Sequence, residues 1–170
     1  MVHLDETDRA IIACLQYDGR VPFTDIAAKL GISEGTVRRR VKRLTESDVM
    51  QIVAVVEPQF LGWNAAGIIG VTVQAGQVDA VAHQIARFPE VSYLFMVSGE
   101  FDLFVEVYCN DMAHFVSFLS QELQQVPGVE RTQTFMTLKM YKLSYRWGEA
   151  EPPQMDRRPH THLEASEADL

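Results

Sequence analysis

Five cationic side chains fall within six residues: Arg38, Arg39, Arg40, Lys42 and Arg43. Guanidinium groups grip guanine edges and phosphate oxygens through paired hydrogen bonds, and an ammonium adds a compact charge for phosphate. The partner that offers both targets is duplex DNA. A second group, Gly99-Glu100-Phe101-Asp102, joins a glycine that permits close backbone approach to two carboxylates able to accept hydrogen bonds from an ammonium ion. The same Gly-x-x-Asp pattern also describes an ordinary hairpin turn whose aspartate caps backbone, and the two readings weigh equally. His160 and His162 lie in a polar stretch with no cysteine nearby, a poor basis for a metal site. No nucleophile–base pair, metal cluster or phosphate loop stands out, so the residues point to no enzyme, metal or cofactor.

The basic cluster needs a rigid carrier. Residues 24–44 read as a helix, a tight turn and a second helix. Ile26, Ala27 and Leu30 give the first an apolar face. Gly31 stands where a helix end takes a left-handed conformation, Ile32 plugs the turn, and Ser33 is a natural N-cap. Val37, Val41 and Leu44 give the second helix one buried face at i, i+4, i+7. A run of arginines is usually a solvated face, and helical hairpins with glycine turns are common. Here the turn lies between two periodic helices, a third helix precedes it, and the charge is confined to one of the three. In such a helix-turn-helix the start of the second helix enters the major groove. The candidates for base contact are Ser33, Glu34, Thr36, Arg38, Arg39 and Lys42; Arg43 is assigned to phosphate and Arg40 to structure. The preceding helix is capped by Asp5 or Thr7, carries Ile11, Ile12 and Leu15 on its apolar face, and ends at Asp18-Gly19. Pro22 suits the start of the next.

A net charge of −8 looks wrong for a DNA-binding chain until its distribution is read. The first 50 residues hold eight Lys/Arg against eight Asp/Glu, and five of those positives are the cluster; the remainder holds seven against fifteen. An acidic body discourages DNA from lying anywhere else. Cys14 and Cys109 sit in apolar patterns and read as small core residues in a reducing compartment. No apolar run approaches the roughly 20 residues of a membrane span. The start, MVHLDETD, lacks a signal peptide's order, so a cytoplasmic location is expected.

After Ser47-Asp48, the stretch VMQIVAVVEP is β-branched and reads as a strand or an extended linker closed by Pro58. The expected domains are residues 1–50, a linker over 51–64, a second domain over 65–147 and a tail over 148–170. The second domain reads as strand (68–73), helix (78–87), strand (91–97), turn, strand (102–108), helix (112–125) and a last strand region (129–143). Leu103, Val105 and Val107 share one strand face, and Phe115, Val116, Leu119 and Leu123 one helix side. Arg87-Phe88-Pro89-Glu90-Val91 and Gln125-Val126-Pro127-Gly128-Val129 repeat the same punctuation: helix end, apolar residue, proline, turn residue, strand opening on valine. A duplicated β-α-β unit of this kind is what a ferredoxin-like βαββαβ fold needs. The tail is acidic and proline-rich and is expected to be disordered.

Taken over residues 3–145, the chain resembles the Lrp/AsnC family of bacterial and archaeal transcription regulators. The resemblance rests on Leu4-Asp5-Glu6-Thr7-Asp8, Asp18-Gly19-Arg20, the run from Ile26 to Ser33, the run from Val37 to Leu44, and Gly99-Glu100-Phe101-Asp102. Ser47-Asp48 departs from the glycine or asparagine usual after the recognition helix. The implied fold is α+β: an N-terminal winged-type helix-turn-helix domain plus a C-terminal ferredoxin-like βαββαβ effector (RAM) domain. The implied function is nucleoid-associated transcription regulation as a homodimer, with an octamer as the further assembly that the resemblance implies. The implied effector is a small molecule, an amino acid, bound at subunit interfaces by Gly99, Glu100, Phe101 and Asp102, with Thr134 and Thr137 from a neighbouring subunit. A sheet with helices on one face leaves the other bare, with Phe104 and Tyr108 on it, and such a face needs a partner. Two further readings stay open: a DNA-wrapping architectural protein without a ligand, and an enzyme similar in fold to some haem-pathway decarboxylases.

Overall fold

The computed structural model describes residues 3–142. The chain divides after Ala54 into two compact units, each with its own core.

The first unit holds α1 (Glu6–Tyr17), α2 (Phe23–Leu30) and α3 (Glu34–Glu46). Asp5 caps α1: its side chain accepts from the Asp8 amide and the Asp8 side chain accepts from the Asp5 amide, at 2.8 and 3.2 Å. This reciprocal pair satisfies amides that the first helical turn leaves without acceptors. Ile11, Cys14 and Leu15 form the buried side of α1, and Ile12, placed there from sequence, is only half-buried because it lies at the edge of that face. Gly31 ends α2 at φ 65°, and the Ile32 amide bonds the Ala27 carbonyl. Ser33 then opens α3 by accepting from the Thr36 amide at 3.2 Å. Val37, Val41 and Leu44 are buried.

Beyond α3 the chain turns sharply. Asp48 takes φ 54°, and the Val49 and Met50 amides both close on the Leu44 carbonyl. Left-handed backbone disfavours residues with a Cβ by roughly 1–2 kcal/mol, least for asparagine and aspartate. The departure seen in the sequence is therefore an aspartate doing what glycine or asparagine does more cheaply. Of the strand and the extended linker that the sequence left open, the linker follows, with no wing strand over residues 50–57. Residues 50–57 have no regular structure, and Ile52, Val53, Val55 and Val56 are exposed. β-branched residues favour extended backbone, but a lone strand has no neighbour to complete its hydrogen bonds.

The second unit follows a short 3-10 turn at Pro58–Leu61. Its elements are β1 (Ala65–Val73), α4 (Val78–Ile85), β2 (Val91–Met96), β3 (Leu103–Cys109), α5 (Met112–Ser117) and β4 (Val129–Met136). The strands form one antiparallel sheet in the order β2-β3-β1-β4. Pairing of Ile69 with Val105 and with Thr134 fixes the faces. Odd-numbered residues of β1 and β3 bury against Val81, Ile85, Phe115, Phe118 and Leu123 of the helical layer. Phe88 and Val126, which precede the two repeated prolines, pack against or within this core, and Phe88 meets Phe118 edge-on at 5.4 Å.

Two sequence expectations are corrected. Val116 is exposed, and Phe118 takes its place in the core. The helix continues from α5 as a π turn over Phe118–Glu122 and a 3-10 turn over Leu123–Gln125. The wider π turn brings Leu123, five residues on, back to the face of Phe118, a phase change that a 3.6-residue count misses. The last strand stops at Met136; residues 137–142 have no regular structure, and Leu143 and the expected tail lie outside the described residues. Both cysteines are free and buried. Burial, then the nearby Glu90 charge, pushes the Cys109 thiol up to about 11, so it stays a neutral core group. Among the described residues no helix is long and apolar enough to cross a membrane.

Replacing Asp48 with alanine is expected to destabilise the first unit by about 1 kcal/mol, with Asp48→Gly tolerated. Thermal melting of both variants checks this; equal losses would mean that the left-handed turn contributes nothing.

Candidate nucleic-acid interface and effector loop

The five cations of α3 do not share one fate. Arg40 donates through Nη1 to Asp5 Oδ2 at 2.7 Å and to Asp8 Oδ1 at 2.8 Å. Arg43 donates through Nη2 to Asp8 Oδ2. Asp8 is 1% exposed, so a buried carboxylate on α1 ties down the inner edge of α3. Burial pushes its carboxyl up, but the bonds from Arg40, the Asp5 backbone and Arg43 together outweigh this and hold it below its ordinary 3.8. The Arg40 hydrogen bond, helped by the Asp8 backbone, holds Asp5 low as well. Arg40 is raised in turn by its bonds to Asp5 and Asp8.

On the outer edge, Arg38 pairs with Glu34 at 2.5 Å and stacks 5.6 Å above the Phe23 ring. Lys42 reaches Glu46 at 3.6 Å. Arg39 alone of the five has no carboxylate partner among the described residues. It lies on the exposed ridge of α3 between Gly35 and Lys42, at i, i+4 and i+7. Ser33 and Thr36, whose hydroxyls meet at 2.9 Å, stand beside the start of that ridge. Arg39, Arg40 and Arg43 line a cavity of about 160 Å³. The sequence candidates Ser33, Glu34, Thr36, Arg38, Arg39, Lys42 and Arg43 are thus on one helix, but Glu34 and Arg38 answer each other and Arg43 is already engaged. Sequence reasoning missed Asp8: its acidic neighbours suggested only a helix cap, and its arginine partners are 32 and 35 residues away.

The 99–102 loop joins β2 to β3. Gly99 is exposed at φ 142°. Glu100 pairs with Arg131 of β4 at 3.1 Å, both being largely exposed. Phe101 is buried over Gly70 of β1, on the sheet face away from the helices. A Cβ at Gly70 would stand 2.8 Å from the ring, so the close approach requires glycine there. Phe104 and Phe135 meet Phe101 at 5.6 and 6.2 Å, and the Arg131 guanidinium lies 5.8 Å above it. Asp102 accepts from the Val73 amide at 2.8 Å, where the β1–β4 register shifts. Its carboxylate caps a neighbouring strand rather than its own turn. Thr134 pairs with buried Ile69 and so faces the helical layer, opposite Phe101; Thr137 lies past the end of β4, its amide on the Ala66 carbonyl. Within the chain Thr134 therefore does not reach the loop. Gly70 and Arg131 were missed. A glycine inside a β-rich run is a signal of close backbone approach, whereas nothing local marks Arg131.

A three-helix unit presenting a cation-rich helix, followed by a βαββαβ unit with one bare sheet face, defines a helix-turn-helix regulator with an appended ligand-binding domain. Residues 4–45 match the AsnC-type helix-turn-helix domain and residues 66–147 the Lrp/AsnC ligand binding domain. The chain belongs to the Lrp/AsnC family. The HTH-type transcriptional regulator FL11 of Pyrococcus furiosus is 36% identical over 140 residues, spanning 82% of this chain and 92% of the relative. LrpA of Pyrococcus horikoshii is 31% identical over 140 residues, spanning 82% and 99%. A transcriptional regulator from Neisseria meningitidis, solved as a complex with L-methionine, superposes with a TM-score of 0.76 at 26% identity, covering 86% of this chain and 97% of that one. AsnC of E. coli, at TM-score 0.74 and 21% identity, covers 84% and 97% and shares the fold. The chain is a DNA-binding transcriptional regulator and not an enzyme.

Two outcomes follow from this geometry. Asp8→Asn leaves Arg40 and Arg43 without their shared charge and is expected to lower stability by about 2 kcal/mol at pH 7. Because the folded Asp8 carboxyl sits below 3.8, its contribution is complete above that pH and disappears as pH falls through the folded value. Wild-type melting temperature should drop below about pH 4, and the Asp8→Asn curve should flatten there; parallel curves would remove Asp8 from the acid response. Gly70→Ala should cost about 1–3 kcal/mol by crowding Phe101, and less on a Phe101→Ala background, as read by a double-mutant cycle in urea.

Proposed function

We propose that α3 reads duplex DNA through its exposed ridge. Arg39 and Lys42 meet bases, and Ser33, Glu34, Thr36 and Arg38 lie at the groove edge. Arg43 turns its free nitrogen to phosphate. The observation that carries this reading is Arg39: a cation with no carboxylate partner among the described residues, on a helix where every other cation has one. A guanidinium so placed is available for bidentate bonding to guanine or phosphate.

The same proposal assigns the 99–102 loop to a small-molecule effector, an amino acid, held by Gly99, Glu100, Phe101 and Asp102, with Thr134 and Thr137 supplied by a second subunit. The L-methionine bound by the Neisseria regulator supports this class. The bare sheet face, with Ile68, Tyr93, Phe95 and Phe135 exposed, supports a homodimer that covers it, and an octamer beyond that. One observation favours a ligand-free DNA-wrapping protein instead. Asp102 is taken by the Val73 amide and Glu100 by Arg131, so an ammonium ligand would have to compete for both.

Arg39→Ala is expected to weaken DNA binding roughly tenfold or more and to reduce the salt slope by about one if the contact is to phosphate, with the slope unchanged if it is to a base. Binding to the chain's own upstream DNA at two salt concentrations, with and without a panel of amino acids, tests both halves. Complexes indifferent to every amino acid would leave the wrapping reading; unchanged affinity in Arg39→Ala would remove the ridge from the interface.

A further inference from the structure

Gly35 is the second residue of α3, and the fold supplies no reason for it. Helices disfavour glycine. Most other described glycines are explained where they stand: Gly31 and Gly99 have positive φ, and Gly70 makes room for the Phe101 ring. Gly35 lies outside the left-handed region, and a Cβ built on it would meet only Ser33 Oγ, at 4.0 Å. Alanine would fit there without strain and would favour the helix more.

Its position is the informative part. Gly35 is exposed and opens the ridge that continues through Arg39 and Lys42. The Ser33 and Thr36 hydroxyls, joined at 2.9 Å, flank it. A residue that favours its helix less than alanine would, on an exposed ridge where a Cβ would meet only Ser33 Oγ, makes sense where another molecule occupies that space.

We propose that Gly35 is a clearance position: the missing side chain lets the edge of the duplex lie against the α3 backbone and sets how deeply the helix seats. This rests on the DNA-reading role of α3 and adds a specificity-determining residue that makes no polar contact of its own. Seating depth matters because hydrogen bonds from Arg39 weaken outside roughly 2.7–3.2 Å. A methyl group at position 35 would hold the helix off and stretch them. The effect concentrates on the preferred sequence, since phosphate contacts from flexible lysine and arginine side chains follow a small displacement that base contacts do not.

The test uses the full chain, a duplex selected by the wild type from a random-sequence pool, and an unselected duplex. Fluorescence anisotropy at two salt concentrations is read beside thermal melting for wild type, Gly35→Ala and Gly35→Leu. The expected result is a melting temperature unchanged or raised in Gly35→Ala, with affinity for the selected duplex at least tenfold lower. The loss should be greater in Gly35→Leu and smaller on the unselected duplex, and the salt slope should be unchanged because no charge is removed. Gly35→Ala binding the selected duplex within twofold of wild type would overturn the inference, as would an affinity loss that only tracks a lowered melting temperature. A wild type that binds no duplex at all would instead overturn the DNA reading of α3, and this inference with it.

Discussion

Crowding of like charge governs the first unit. Five cations in six residues repel one another, at a cost of roughly 0.2–0.5 kcal/mol per close pair that opposite charges nearby offset. The answers come from both sides: Glu34 and Glu46 within α3, and Asp8 of α1 with Asp5, its N-cap. Asp8 does most because it is buried and takes two guanidiniums at once. Its carboxylate locks α1 to α3, uses Arg40 and part of Arg43 as structure, and leaves Arg39 on the open ridge. A basic patch thus divides, with some arginines holding the helix and Arg39 left exposed without a carboxylate partner among the described residues.

In the second unit the governing constraint is one-sided coverage. The helical layer buries the odd-numbered side chains of β1 and β3 and leaves the opposite face to Ile68, Tyr93, Phe95, Phe104 and Phe135. The chain covers part of that face itself. Gly70 gives up its side chain, Phe101 fills the space, and Asp102 caps the Val73 amide at the irregular end of β1. The 99–102 loop is therefore packed against the sheet rather than hung from it. Arg131, stacked on Phe101 and paired with Glu100, ties the last strand into this corner.

Much of this was legible in the residues. The helix-turn-helix showed itself because its signals are local: Gly31 at a left-handed cap, Ser33 at an N-cap, and valines and a leucine spaced by one helical face. The repeated Pro-x-Val punctuation marked the starts of β2 and β4 for the same reason. Where local pattern met a non-local requirement it fell short. The β-branched run after Asp48 read as a strand or a linker, and only the lack of a neighbouring strand made it a linker; the π turn after α5 moved Val116 out of the core and Phe118 in.

What the sequence by itself determined, then, was the order of the elements, the face that most of them bury and the helix that carries the charge, because periodicity and capping act within a few residues. Only the tertiary structure decided which charges are free and which carboxylates are available. Asp8 meets Arg40 and Arg43 across more than 30 residues, and Asp102 finds Val73 across 29. Such pairings depend on how elements pack, and no spacing along the chain encodes them.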